Sequence, residues 1–203
     1  MAPMRKLLAG DAARIRDHLL RLDRQSRYER FSGYVSDAFV ERYCERINWI
    51  DDILIGWVEG GELRALAQLV RLPYRWPREA ELALTVEPDW QDRGIGSELC
   101  REILLSARNR MIGRVCMLCL MENVRMRRIV RRLEGKLVYL DGAAEGEVRL
   151  PPPNYLSLWQ EAFDEGGALV ETLVDQWRPA SRRSLRPPRR RKRVRARAPR
   201  PAA

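Results

Sequence analysis

The stretch Gln91-Asp92-Arg93-Gly94-Ile95-Gly96-Ser97 constrains this chain more than any other. Upstream, Glu81 to Val86 reads as a strand that Pro88 stops. Downstream, Ile95, Leu99, Ile103, Leu104 and Ala107 recur at helical spacing until about Gly113. A strand, a glycine turn and an amphipathic helix in that order put unpaired N–H groups and the positive end of a helix dipole beside thinly covered backbone. That combination favours a phosphate, and Arg93 adds a formal positive charge. The plain alternative is a glycine turn that only opens a helix. Two nucleotide readings fail. A dinucleotide fingerprint needs a third glycine where Leu99 stands, and a Walker-type loop needs Gly-Lys-Ser/Thr, which occurs nowhere. A phosphate cradle of another kind remains.

The same patterns order the rest of the chain. Asp11 is expected to cap a helix with Ile15, His18, Leu19 and Leu22 on one face, and a second helix is expected from Ser36 to Ile47. Ile53 to Val58 and Leu63 to Val70 read as strands joined at Gly60-Gly61, which supplies the positive φ of a tight hairpin. Leu72 to Arg78 reads as a loop. Val115 to Leu120 has the unbroken apolar character of a buried strand. Asn123 is expected to cap a short helix carrying Met126, Ile129, Val130 and Leu133, closed by Gly135; Leu137–Leu140 and Val148–Leu150 complete a hairpin. The resulting order is strand, two helices, several strands, helix, strand, helix, two strands. It predicts a mixed α/β (α+β) sheet flanked by helices, neither doubly wound nor a barrel.

Charge divides the chain. Of its 38 Lys and Arg, 12 lie in residues 178–203, where there is no Asp or Glu; the body keeps 26 basic against 28 acidic residues. The body, residues 1–150, is expected to be one domain. Residues 151–177 carry Leu156, Trp159, Phe163, Leu169, Leu173 and Trp177, an apolar series expected to dock on the sheet or on a second subunit, so an oligomer is compatible. Residues 178–203, with five prolines, are expected to be a disordered Arg-rich tail. Arginine forks onto phosphate, which makes nucleic acid the leading partner expected of that tail, with a solvated extension that only aids solubility as the alternative. The longest apolar run, Val115 to Met121, has seven residues, and a span needs about twenty, so no membrane role is expected. Four cysteines and no signal-peptide pattern suit a cytoplasmic protein. Cys116 and Cys119, three apart on a strand, point to opposite faces, so buried thiols are expected and no metal. His18, on the apolar side of its helix, is expected to be packed.

In combination, these residues resemble the GNAT superfamily of acyl-CoA N-acyltransferases. Gln91, Gly94 and Gly96 meet its Gln/Arg-x-x-Gly-x-Gly/Ala motif directly after a strand and at the start of a helix. Glu81 to Trp90 is similar to its cofactor strand, and Asn123 stands where it places a CoA-contacting Asn. Asp23 to Phe31 is similar to the opening phrase of the acetyltransferase domains fused to CoA-ligase-like protein acetyltransferases. The resemblance covers about Met4 to Leu150 and implies a mixed, mostly antiparallel sheet.

It also implies a site. Acetyl-CoA would lay its pyrophosphate on the amides of Arg93, Gly94, Ile95, Gly96 and Ser97, and its pantetheine along the backbone of Leu84 and Val86, with its thioester where the two central strands part. Strand alternation puts Glu81, Ala83, Thr85 and Glu87 on one face, and the resemblance makes Glu81 the base that takes the amine proton; a solvated Glu is the alternative. Tyr28, Arg30 and Phe31 lie where relatives build the acceptor mouth. The Tyr that many relatives use to protonate the thiolate is replaced by Val130, leaving solvent, another residue such as Tyr139, or nothing for that task. The implied activity is metal-free N-acetylation of a protein lysine, a terminal amine or a small amine. A non-catalytic CoA-binding module tied to nucleic acid by its tail is the rival reading.

Overall fold

The structure, a computed structural model, describes residues 4–73, 78–140, 143–155 and 161. Among them are seven strands: β1 (Met4–Lys6), β2 (Ile53–Glu59), β3 (Glu62–Leu72), β4 (Glu79–Val86), β5 (Arg114–Leu120), β6 (Lys136–Leu140) and β7 (Ala143–Arg149). Five helices accompany them: α1 (Ala12–Arg21), α2 (Arg24–Phe31), α3 (Asp37–Glu45), α4 (Ile95–Asn109) and α5 (Val124–Arg132). The strands form one sheet in the order β1-β2-β3-β4-β5-β7-β6, and only β4 and β5 run parallel. The mixed, mostly antiparallel sheet expected from the sequence is the one observed.

Each face of the sheet has its own core. On one face α1 and α3 bring Ile15, Leu19 and Val40 onto Leu54, Leu63 and Leu66. On the other, α4 brings Leu99 and Ile103 onto Ala65, Ala67, Leu69, Leu82 and Val115, and α5 adds Met126 and Val130. Burying two faces with helices explains why β2 and β3 read as nearly continuous apolar runs, whereas β5, expected to be a buried strand, buries only alternate residues, Val115, Met117 and Cys119, and leaves Leu118 about half exposed. Gly60 and Gly61 take φ of 62° and 82° and turn the β2–β3 hairpin as expected.

Three expectations need correction. Asp11 does not cap α1; its carboxylate is buried and accepts from Arg5 at 2.7 and 2.9 Å, from Arg14 at 2.7 Å and from the Leu8 N–H at 3.1 Å. Burial pushes its pKa up, but these partners outweigh burial and hold it below the ordinary value. Three helices, not two, precede β2. The additional one, α2, is capped by Asp23, which accepts from the Ser26 N–H at 2.6 Å, and it ends at Ser32 with φ 51°. Finally, β7 begins at Ala143, not near Val148; it pairs with β6 as the expected hairpin and lies between β5 and β6 in the sheet. Most of residues 151–177, and all of 178–203, fall outside the described residues. At Glu161, Asn109 and Arg110 donate to the carboxylate at the C-terminal end of α4.

Candidate functional site

The central strands separate. β4 and β5 pair only at Glu79–Arg114, Ala80–Val115 and Glu81–Cys116. Beyond Glu81, the β4 edge toward β5 carries no strand partner among the described residues, and two cavities with shared walls, of about 170 and 310 Å³, lie in the gap. Leu84, Val86, Gln91, Asn123 and Met126 line both.

The first cavity sits over the glycine turn. Gln91 donates to the Val86 carbonyl at 2.9 Å and ties the turn to the strand end. Gly94 has φ 84° and precedes the first residue of α4, so its conformation needs a residue without Cβ. A Cβ on Gly96 would stand 3.1 Å from Leu84 Cδ2 and 3.3 Å from Ile129 Cδ1, and would crowd the floor of the cradle. Gly94, Ile95, Gly96 and Ser97 all line this cavity. Asn123 lines it too and also accepts from the Met126 N–H at 2.9 Å, capping α5. Arg93 does not line the cavity itself; its guanidinium stands 5.0 Å from the centre of the ring of Trp90, which does. The cationic side chains that do line it are Arg125, Arg128 and Arg132 of α5. Sequence reasoning missed them, although spacings of three and four put them on one helix face. An open strand edge, a glycine cradle and a cationic helix face together suit an elongated, phosphorylated ligand.

The second cavity holds the acceptor side. Glu81 is exposed and lines it, with Glu29, Arg30 and Phe31 of α2. Tyr28 is not brought to it; its ring lies 4.7 Å from that of Tyr34, beside a separate depression. Val130 is fully buried, and a Cβ on Gly135 would come within 2.9 Å of its Cγ1. Tyr139 is half-exposed on β6, with β7 between it and β5.

Behind this wall lies a buried polar network that the sequence did not reveal. His18 is fully buried, as expected, with Nε2 2.8 Å from Thr85 Oγ1 and Nδ1 3.1 Å from Glu87 Oε1. Arg21 donates to Glu87 Oε1 at 2.9 and 3.0 Å, and Arg64 to Oε2 at 3.0 Å. Burial works against the Glu87 carboxylate, but His18, Arg64 and Arg21 outweigh it and hold its pKa down to about 2. Burial lowers the His18 pKa against the opposing pull of Glu87, which keeps the imidazole neutral. An anionic Glu87 fixes the proton on Nδ1, so Nε2 accepts from Thr85. The network locks α1 to β4, whose Thr85 lines the acceptor cavity.

All four cysteines are free; burial pushes Cys100 up to about 12 and Cys116 up to about 11. Among the described residues no group of His, Cys, Asp or Glu is arranged to hold a metal ion, and no helix is long and apolar enough to cross a membrane.

Comparison with known proteins agrees with this geometry. Residues 17–134 match the acetyltransferase (GNAT) family. The chain is 30% identical over 188 residues to the acetyltransferase Pat of Mycolicibacterium smegmatis, covering 90% of this chain and 53% of that protein. It thus spans about half the length of that relative. Among solved structures, the GNAT domain of S. lividans PAT superposes with a TM-score of 0.63 at 26% identity, covering 72% of this chain and 89% of that one. A cAMP-binding acyltransferase from Mycobacterium smegmatis gives a TM-score of 0.52 at 27% identity, covering 84% and 51%.

Proposed function

Since this chain belongs to the GNAT acetyltransferase family, whose general reaction is acetyl-CoA-dependent acetylation, we propose that it transfers an acetyl group from acetyl-CoA directly to an amine. The observation that carries the reading is the parting of β4 and β5 beyond Glu81, next to the Gly94–Gly96 cradle.

The residues fit such a co-substrate. Backbone amides of Gly94, Ile95 and Gly96 hold the pyrophosphate, the Ser97 N–H being already given to the Gly94 carbonyl at 2.9 Å, and the Gly96 position leaves the floor clear for it. Arg125, Arg128 and Arg132 add positive charge to the same cavity. The backbone edge at Leu84 and the N–H of Val86, whose carbonyl Gln91 already occupies, hydrogen-bond the pantetheine as an added strand would. A lysine-like amine with a pKa of about 10.4 is almost wholly protonated at neutral pH, so it must lose a proton before attack. Glu81, in the cavity wall, takes that proton directly or through one water. Val130 offers no proton to the departing thiolate, and water supplies it. The reaction is assigned to the cytoplasm.

The test is release of free thiol from acetyl-CoA, at neutral to alkaline pH, with lysine peptides, N-terminal peptides and small amines. Amine-dependent release supports the enzyme. Saturable acetyl-CoA binding without release for any amine overturns it in favour of a CoA-binding module associated with nucleic acid through residues 178–203. Val130 in place of the usual Tyr is the observation favouring that second reading.

A further inference from the structure

The acceptor cavity contains a fixed cation that proton transfer does not use. Arg30 lines it, and its Nη2 donates to Tyr43 Oη and, at 3.1 Å, to Gln68 Oε1. Its guanidinium stands 5.0 Å from the centre of the Phe31 ring and 5.2 Å from that of Tyr43. These contacts hold the fork rigidly. Among the described residues, no carboxylate forms an ion pair with it; its partners are the Tyr43 hydroxyl and the Gln68 amide oxygen.

The buried chain behind Arg30 is complete without it. Tyr43 Oη donates to Gln68 Oε1, and Gln68 Nε2 donates to Asp52 at 3.1 Å. Arg30 is therefore an addition to a satisfied network, and both of its bonds leave from one nitrogen. The remaining donors of the fork suit a planar anion.

The position of Arg30 matters as much as its charge. Gln68 is the register partner of Ala83, and Glu81 is the next residue on that face of β4. Gln68, the anchor of Arg30, is thus the diagonal cross-strand neighbour of Glu81, about 7–8 Å away. An anionic wall at Glu81 and Glu29 and a rigid cation at Arg30 share one small cavity of about 310 Å³.

From this juxtaposition we infer that the acceptor is a small molecule carrying both an amine and a carboxylate, the amine at Glu81 and the carboxylate on Arg30. The inference rests on the acetyl-transfer reading for the fate of the amine, but not for the binding of the carboxylate.

The test is calorimetry on the full chain, with and without saturating CoA, using γ-aminobutyrate and its amide, which keeps the ammonium and lacks the carboxylate, as probes. The acid should bind at least about tenfold more tightly than the amide, a difference typical of one charge-assisted contact. Arg30→Met should erase that difference and leave CoA affinity unchanged, and Arg30→Lys should keep part of it. Equal affinity for acid and amide, no binding of either, a preference that survives in Arg30→Met, or binding only of acidic peptides would each overturn the proposal. An arm with succinyl-CoA against acetyl-CoA separates the two sources of a carboxylate: an Arg30-dependent preference for succinyl-CoA without acid–amide discrimination overturns the acceptor assignment. If acid-selective binding depends on Arg30 while no amine releases thiol, the anion site stands and the acetyl-transfer reading falls.

Discussion

His18 of α1 and Glu87 at the end of β4 meet at 3.1 Å in the protein interior, 69 residues apart in the chain. The contact makes stability depend on pH in one direction. Glu87 is held at about 2 against an ordinary 4.5, so its contribution is complete above 4.5 and is lost as pH falls toward 2. His18 is held below its ordinary 6.5, so the unfolded chain takes up its proton first and stability begins to fall once pH drops below 6.5. Thermal melts from pH 8 to 2 should show a two-stage decline. Glu87→Gln should lower stability at pH 7 by roughly 1.5–3 kcal/mol, the range for hydrogen bonds to charged groups, and should shrink the lower stage, leaving the part that Asp11 supplies. A flat profile for the wild type between pH 7 and 3 would contradict the network.

At Gly96 the prediction concerns binding. Even a methyl group there meets Leu84 and Ile129 at 3.1–3.3 Å, so Gly96→Glu, which adds bulk and negative charge, should abolish acetyl-CoA binding with the fold retained. Calorimetry and circular dichroism on the same sample check both halves.

For Glu81 the expected effect is on rate. Glu81→Gln keeps the shape and removes the base, so turnover with an active amine should fall about 10²–10⁴-fold with cofactor affinity little changed. An unaltered pH–rate profile would make Glu81 a bystander.

The arginine face of α5 should show itself in salt dependence. Replacing Arg128 and Arg132 together by Ala should weaken acetyl-CoA binding about tenfold and flatten its decline with added salt. Affinity measured at low and physiological salt decides it.

Removing residues 178–203 takes away 12 of the 38 basic side chains. Binding to labelled RNA and duplex DNA should be strong and steeply salt-dependent for the full chain and weak for the shortened one, with small-amine acetylation unchanged. Equal binding by both would exclude the tail as the anchor.

What the sequence disclosed and what it concealed differ by the range of the interactions involved. The glycine turn, the Gly60-Gly61 hairpin and the Asn123 cap depend on neighbouring residues, and their signals are local. α2 escaped notice because none of its eight residues is buried, so it has no apolar stripe to betray it. Asp11 looks like a cap until Arg5 arrives from β1 to claim its carboxylate. The start of β7, Ala-Ala-Glu-Gly-Glu, lacks strand-forming residues; it is held by β5 on one side and β6 on the other, and the smallness of Gly146 makes room for Val130 beneath it. Within the candidate site, the cradle and Glu81 were legible. The Glu87 network and the Arg30 anchor were not, because each joins helices and strands that only the fold brings together.

Val130, wedged against Gly135 and Gly146, also bears on the energetics of turnover. No phenol could replace it without displacing the helix or the strand beneath. Under the proposed chemistry, then, the carbon–sulfur bond breaks without a built-in acid, and the ease of that step belongs to the thiol itself. Thioesters of more acidic thiols should react faster along a steep linear free-energy relation, a sensitivity that an enzyme with its own proton donor would largely suppress.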